Sequence, residues 1–158
     1  MNADDAPKPL DDLLSPGSTL MVGFGESATE FRPLTVAKTE SGRVEILLDT
    51  SEAWAKQLKN GDRAVATLSD SRTNTWVSMT GTATLTTDPK AIDALWNPAA
   101  AAYFDNGRDT PGITVLRIDG DDGRYWTAPS GRIGSLISMV KAKLGSPEDS
   151  GESGDLAL

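Results

Sequence analysis

The sequence predicts a mainly β protein, a small barrel of antiparallel strands with a few helices at its ends. Three observations carry that expectation. Residues 76–85 alternate strictly, with Trp76, Ser78, Thr80, Thr82 and Thr84 on one side and Val77, Met79, Gly81 and Ala83 on the other. Period two over that length is a strand signature. The other apolar runs are short and separated by brief Gly, Asn, Asp and Ser turns, the spacing of a meander and not of alternating strands and helices. No Gly-rich loop of the P-loop or dinucleotide type is present.

Each element follows in order. Residues 9–14 suit a short helical turn that covers one end of the core. Thr19 to Gly25 and Thr29 to Lys38 read as strands around a turn at Glu26-Ser27, with Gly23 and Gly25 as strand end and turn. Pro33 lies inside the second of these, where a missing N–H is tolerated only at an edge or bulge. A turn over Thr39 to Gly42 leads into a strand from Arg43 to Leu48. Ser51 is placed to cap a helix from Glu52 to Lys59, closed by Asn60-Gly61. Strands are expected at Arg63 to Leu68 and Trp76 to Leu85. Asp88-Pro89 then has the pattern of an N-cap followed by proline at the first helical position. That helix runs to Trp96, is interrupted at Asn97-Pro98, and resumes over Ala99 to Phe104. Strands Ile113 to Asp119 and Gly123 to Ala128 are joined by a turn at Gly120-Asp121-Asp122, and an amphipathic helix spans Ile133 to Leu144.

Domain organisation is read as a disordered tail over residues 1–8, one folded domain over 9–144, and a disordered acidic tail over 145–158. The last segment, GSPEDSGESGDLAL, offers little apolar surface to offset its ordering entropy. Met1 to Asp5 has neither the basic region nor the apolar stretch of a secretion signal, so a cytoplasmic location is expected. No apolar run reaches the roughly 20 residues of a membrane span.

Composition narrows the chemistry. The 158 residues contain no histidine and no cysteine. Ser-His-Asp catalysis, imidazole-based metal sites, thiol chemistry and disulfides are therefore excluded, and no metal is expected. The formal net charge of -8 is opposite to that of a domain gripping nucleic acid through its phosphates. The carboxylates are scattered through turns, and no acid/base pair stands out.

Several strings carry a resemblance. They are Ile92 to Pro98 (IDALWNP), Ala102-Tyr103-Phe104, Val115-Leu116-Arg117-Ile118 and Tyr125 to Arg132 (YWTAPSGR), with Trp76 to Gly81 and Phe31 to Leu34 further back. Together, over about Leu10 to Leu144, the chain resembles the general-stress-protein branch of the pyridoxamine-phosphate-oxidase-like family. The resemblance implies a six-stranded split barrel, a homodimer, and FMN (with FAD or another flavin as alternatives) in a cleft between two subunits. It places Arg32 at the flavin phosphate, where a guanidinium suits a dianion through paired hydrogen bonds. Pro33, Leu34 and Thr35 follow along the isoalloxazine edge, and Leu48, Asp49 and Thr50 form the strand end next to the phosphate. Trp76 faces the ring system, Trp126 comes from the partner, and Arg132 meets an anionic group at the cleft mouth. The alternative for the tryptophans is barrel core or dimer contact, and for Arg32 a surface ion pair with Glu30 or Glu45.

The sequence also departs from the family's pattern. Trp54 stands where a basic residue usually completes the phosphate clamp, Lys56 falls on the other side of the expected helix, and Lys38 is one residue out of strand phase. Without histidine after Arg132, oxidation of pyridoxamine phosphate is the least supported function. Two readings stand ahead of it. One is a flavin-binding stress protein, with oxidoreductase chemistry on a substrate the sequence does not specify. The other is a split-barrel interaction module that binds the cofactor weakly or has lost it.

Overall fold

In the computed structural model, residues 6–128 and 152–158 are described. Nine strands and three short α-helices occur among them: β1 (Lys8–Pro9), α1 (Leu10–Leu13), β2 (Thr19–Phe24), β3 (Arg32–Thr35), β4 (Lys38–Glu40), β5 (Arg43–Asp49), β6 (Arg63–Asp70), β7 (Thr75–Thr86), α2 (Pro89–Leu95), α3 (Pro98–Tyr103), β8 (Ile113–Thr127) and β9 (Glu152–Ala157). The expected mainly β class is what the chain adopts. The helix expected over 133–144 lies outside the described residues.

The ring closes through one bent segment. β3 pairs antiparallel with β2, and β4, only two residues later, pairs antiparallel with β5. Between them Val36 N–H donates to Ser18 O (2.8 Å) and Ala37 N–H to Glu45 O (2.9 Å), so the partner changes within one residue. The sequence reading of Thr29 to Lys38 as one strand therefore divides here, and part of the expected turn after it is strand. With β2–β6, β6–β7, β7–β8 and β5–β8 all antiparallel, the segment 32–40 joins the two ends of the sheet into a six-membered barrel. Pro33 sits in β3, which among the described residues pairs with β2 alone, the edge setting that proline needs.

Inward residues of β2, β5, β6, β7 and β8 meet in one core. Leu20, Val22, Val44, Ile46, Ala64, Ala66, Met79, Ala83, Leu116, Ile118 and Tyr125 are essentially inaccessible to solvent. Leu10 of α1 and Val36 at the bend close the same cluster. A second, smaller cluster lies under the helices, where Ile92, Leu95 and Phe104 pack with Ile113 and Val115. The helix start at Asp88 forms as read, and the interruption read at Asn97-Pro98 is itself a second capped start. Asp88 accepts from Lys90 N–H (3.0 Å) and Asn97 from Ala100 N–H (2.9 Å), each followed by proline.

Two further expectations are corrected. Gly120-Asp121-Asp122 is not a turn between strands but a bulge within β8: Gly81 faces Gly120, Thr80 faces Asp122, and Asp121 is the extra residue. A Cβ on Gly81 would stand 2.4 Å from Asp119 O, so the strand-like glycine permits the close approach that the bulge requires. Asp121 is held by Arg63 and by the Thr80 hydroxyl (3.0 Å). The helix expected over 52–59 is a turn followed by a single 3-10 turn at Ala55–Gln57.

Neither end is wholly tail. The expected disordered segment 145–158 ends in β9, which pairs antiparallel with β8 and parallel with β1. The physical reason is a ledge of glycines. A Cβ on Gly123 would meet Leu156 at 2.5 Å, and one on Gly42 or Gly120 would meet Leu158 at 2.7 or 2.9 Å. Two leucines thus find a seat that composition alone does not reveal, and Leu156 joins the core. At the other end Lys8 pairs with Glu152, and the Tyr125 hydroxyl donates to Ala6 O (2.9 Å). Leu156→Ala should accordingly destabilise the protein by about 2–3 kcal/mol, read as a lower urea midpoint with unchanged slope. An unchanged midpoint would show that β9 contributes nothing to the fold.

Candidate functional site

The bend that closes the barrel also leaves a hollow beside it. Its cavity, about 260 Å³, is walled by Pro33 to Ala37 of the bent segment, Ile46 to Leu48 of β5, Pro16-Gly17, Trp54, and Asn97, Ala99, Ala100, Tyr103 and Phe104 from the α3 region. The walls are chiefly aliphatic and aromatic, as in small-molecule sites. α3 is positioned by the Asn97 cap, and Phe104 is fixed by Trp96 (ring centroids 5.7 Å apart). Alternation gives β3 a further property. Because Val36 N–H is bonded toward β2's side and Pro33 has no N–H to give, the backbone groups of Pro33 and Thr35 point to the edge away from β2.

The rim is built around Trp54. The Arg32 guanidinium lies over its ring at 5.0 Å from the centroid, and Phe24 stacks on it at 6.5 Å. Its indole N–H donates to Glu52 (2.6 Å), whose other carboxylate oxygen accepts from the Tyr103 hydroxyl (3.4 Å). Glu52 thereby bridges two aromatic residues that line the cavity. A second, more open hollow of about 520 Å³ adjoins, lined by Asp49, Ser51, Glu52, Tyr103, Phe104, Asp105, Asn106, Thr110 and Pro111. The Tyr103 phenol titrates above its ordinary range. Desolvation is the main cause, followed by the Glu52 charge and hydrogen bond and by Asp49.

Of the residues singled out from sequence, Pro33, Leu34, Thr35, Leu48 and Trp54 line the cavity. Arg32 stands at the rim, with Glu30 a distant partner at 3.9 Å. Glu45, the other partner considered for it, is bonded to Arg117 instead (2.8 Å). Asp49 lines the adjoining hollow and accepts from Ser51 N–H (2.8 Å). The Thr50 hydroxyl donates to Gly112 O (3.0 Å). Trp76 and Trp126 form a cross-strand pair on the outer face of β7 and β8, 37% and 43% exposed, and line neither hollow. Arg132 lies outside the described residues. Lys38 is turned to Glu40 (2.8 Å), and Lys56 is exposed and lines neither hollow. Sequence reasoning missed Glu52, Asn97, Ala100 and Tyr103. The LWNP and AYF strings contain Asn97 and Tyr103, with Ala100 between them, and were read for resemblance and for a helix interruption, not for the cavity they line.

A family model described as "Pyridoxamine 5'-phosphate oxidase like" matches residues 5–149. The chain belongs to that family. Among solved structures, a general stress protein 26 from Jannaschia sp. CCS1 (so described in that structure) superposes with a TM-score of 0.76 at 23% identity, covering 93% of this chain and 94% of that one. A general stress FMN/FAD binding protein from Xanthomonas citri gives 0.65 at 28% identity, covering 75% and 86%. A curated relative, protein bli-3 of Neurospora crassa, is 26% identical over 120 residues, 70% of this chain. The chain spans 57% of that relative's length in the match. Among the described residues no helix is long and apolar enough to cross a membrane.

The Tyr103–Glu52 contact is directly measurable. An ultraviolet pH titration of wild type minus Tyr103→Phe should yield a phenol that ionises above the roughly pH 10 of free tyrosine. Glu52→Gln should move it down, because the carboxylate's charge and hydrogen bond both favour the neutral phenol. An unaltered phenol in Glu52→Gln would mean the two side chains do not interact in solution.

Proposed function

We propose that this chain binds the ring system of a flavin in the hollow beside the barrel bend and works as a homodimer in flavin-dependent redox chemistry. The observation that carries this reading is the cavity itself, walled by the β3, β5 and Trp54 positions that the family resemblance assigns to the cofactor. Its fit to a flavin rests on two features. Leu34, Leu48, Trp54 and Phe104 provide apolar faces for a planar aromatic body, and the free edge of β3 offers the backbone groups of Pro33 and Thr35 to heteroatoms at the ring's rim. At about 260 Å³ the hollow is slightly below the usual range for ligand pockets, roughly 300–1,000 Å³. It therefore holds part of a flavin and leaves the remainder to the mouth and to a second subunit. A bound flavin supplies the electron or hydride transfer, while the protein supplies orientation and polarity. The X. citri relative's description as an FMN/FAD binding protein supports the same reading.

The dimer proposal rests on the outer sheet face. Met21, Trp76 and Trp126 are all exposed there, on adjacent rows of β2, β7 and β8. Amphipathic aromatics of this size on an open face suit a subunit interface. An interaction module without cofactor is the second reading. It is favoured by the rim, where Trp54 stands in place of a cation and neither Lys38 nor Lys56 reaches the cavity.

Titrating riboflavin or FMN into the purified protein while following flavin fluorescence tests the cofactor. Saturable binding is expected, weakened at least tenfold in Ala100→Trp, which fills the cavity from α3. Failure of both flavins to bind would leave the interaction module. For the dimer, sedimentation at micromolar concentration should give two subunits in wild type and a monomer in Trp126→Glu. A wild-type monomer would refute it.

A further inference from the structure

The charge around the mouth has a sign, and it is the opposite of what a phosphate needs. Three carboxylates, Asp49, Glu52 and Asp105, line the hollow adjoining the cavity, and among the described residues no lysine or arginine lines it. Of the three, Glu52 is the one tied to the cavity walls, accepting hydrogen bonds from Trp54 and Tyr103. The cation at the rim, Arg32, is spread over the Trp54 ring. The Thr50 hydroxyl, which could have donated to an anion, is bonded to Gly112 O and lies 3.3 Å from the Thr114 hydroxyl.

We propose that this site discriminates against a terminal phosphate, taking an unphosphorylated flavin of the riboflavin type in preference to FMN, and that Glu52 is the specificity-determining residue. The inference rests on the flavin reading and concerns which form of flavin enters. Among the described residues, an anionic group leaving the cavity through this mouth meets carboxylates and one guanidinium, Arg32, already laid over the Trp54 ring. An uncharged ribityl end meets acceptors that its hydroxyls can donate to. Like-charge juxtaposition of this kind is a general device of specificity, acting by repulsion of the wrong ligand.

Titrations of riboflavin and FMN into wild type, Glu52→Gln and Glu52→Lys test it. Glu52 is exposed, so both variants should fold, which circular dichroism checks. Riboflavin should bind wild type at least as tightly as FMN. Relative to riboflavin, FMN should tighten by roughly three- to tenfold in Glu52→Gln and further in Glu52→Lys. Asp155→Asn on β9 makes the same change in net charge away from both hollows and should leave the ratio alone. Salt gives an independent sign. Between about 0.01 M and 1 M, FMN affinity for wild type should rise as repulsion is screened, whereas a cationic clamp would make it fall. FMN preferred more than tenfold, with affinity falling in salt, overturns the proposal and leaves the flavin reading standing. Parallel changes in both ligands in Glu52→Gln also overturn it, since Glu52 would then act on the ring or the fold. If neither flavin binds, the flavin reading fails and this proposal fails with it.

Discussion

Residues 32–40 change partner from β2 to β5 across the single step from Val36 to Ala37, and the rest of the structure depends on that switch. It converts a sheet with two open ends into a ring, and it removes two edges whose unpaired backbone groups would otherwise invite association. A strand that bends to serve two neighbours cannot keep both of its own edges covered. Its first half is left with a free edge facing outward, and the cavity forms against that edge, between the bend, β5 and α3. Barrel closure and the candidate site are thus consequences of the same backbone geometry.

β8 resolves a related problem on the far side of the ring. Its first half pairs with β5 and its second half with β9 along the same edge, while β7 runs along the other. The bulge at Asp121 and the glycines at 120 and 123 mark the change of partner. They create the room in which Leu156 and Leu158 sit. In this fifteen-residue strand the extra residue shifts the register against β7 and sharpens the local twist near the change of partner. The Arg63–Asp121 pair then turns the bulged residue's side chain to use on the surface. Exposed ion pairs of this kind contribute little energy by themselves, so the bulge is held mainly by the ladder around it.

The site's electrostatics follow from local chain geometry more than from overall composition. A net charge of -8 spread over a surface is ordinary. What distinguishes this molecule is that the segment after β5 forms turns and a brief 3-10 helix, which bring Glu52 to the Trp54 indole and to Tyr103 from a different part of the chain. Tryptophan at that position also changes what Arg32 does. A guanidinium above an aromatic face is partly satisfied without any anion. The rim is therefore an aromatic and acidic collar around an apolar hollow.

Much of this protein was legible from its residues alone. The alternation of 76–85, the capped start at Asp88-Pro89, the interruption at Asn97-Pro98, and the edge position required by Pro33 are local properties. Each follows from backbone chemistry that does not depend on distant residues. The family was legible too, because its strings lie within single elements. Contacts between segments far apart in sequence were not. Gly120-Asp121-Asp122 has the composition of a turn and became a bulge because β7 runs continuously beside it. The acidic C-terminal segment has the composition of a disordered tail, yet Glu152–Ala157 form a strand because Gly120 and Gly123 of β8 and Gly42 in the β4–β5 turn leave space for two leucines. Glu52 and Tyr103 stand 51 residues apart and carry no joint signal. Sequence determined which residues could form strands, caps and turns. Only the closed barrel decided which of them meet, since packing and electrostatics act through space and not along the chain.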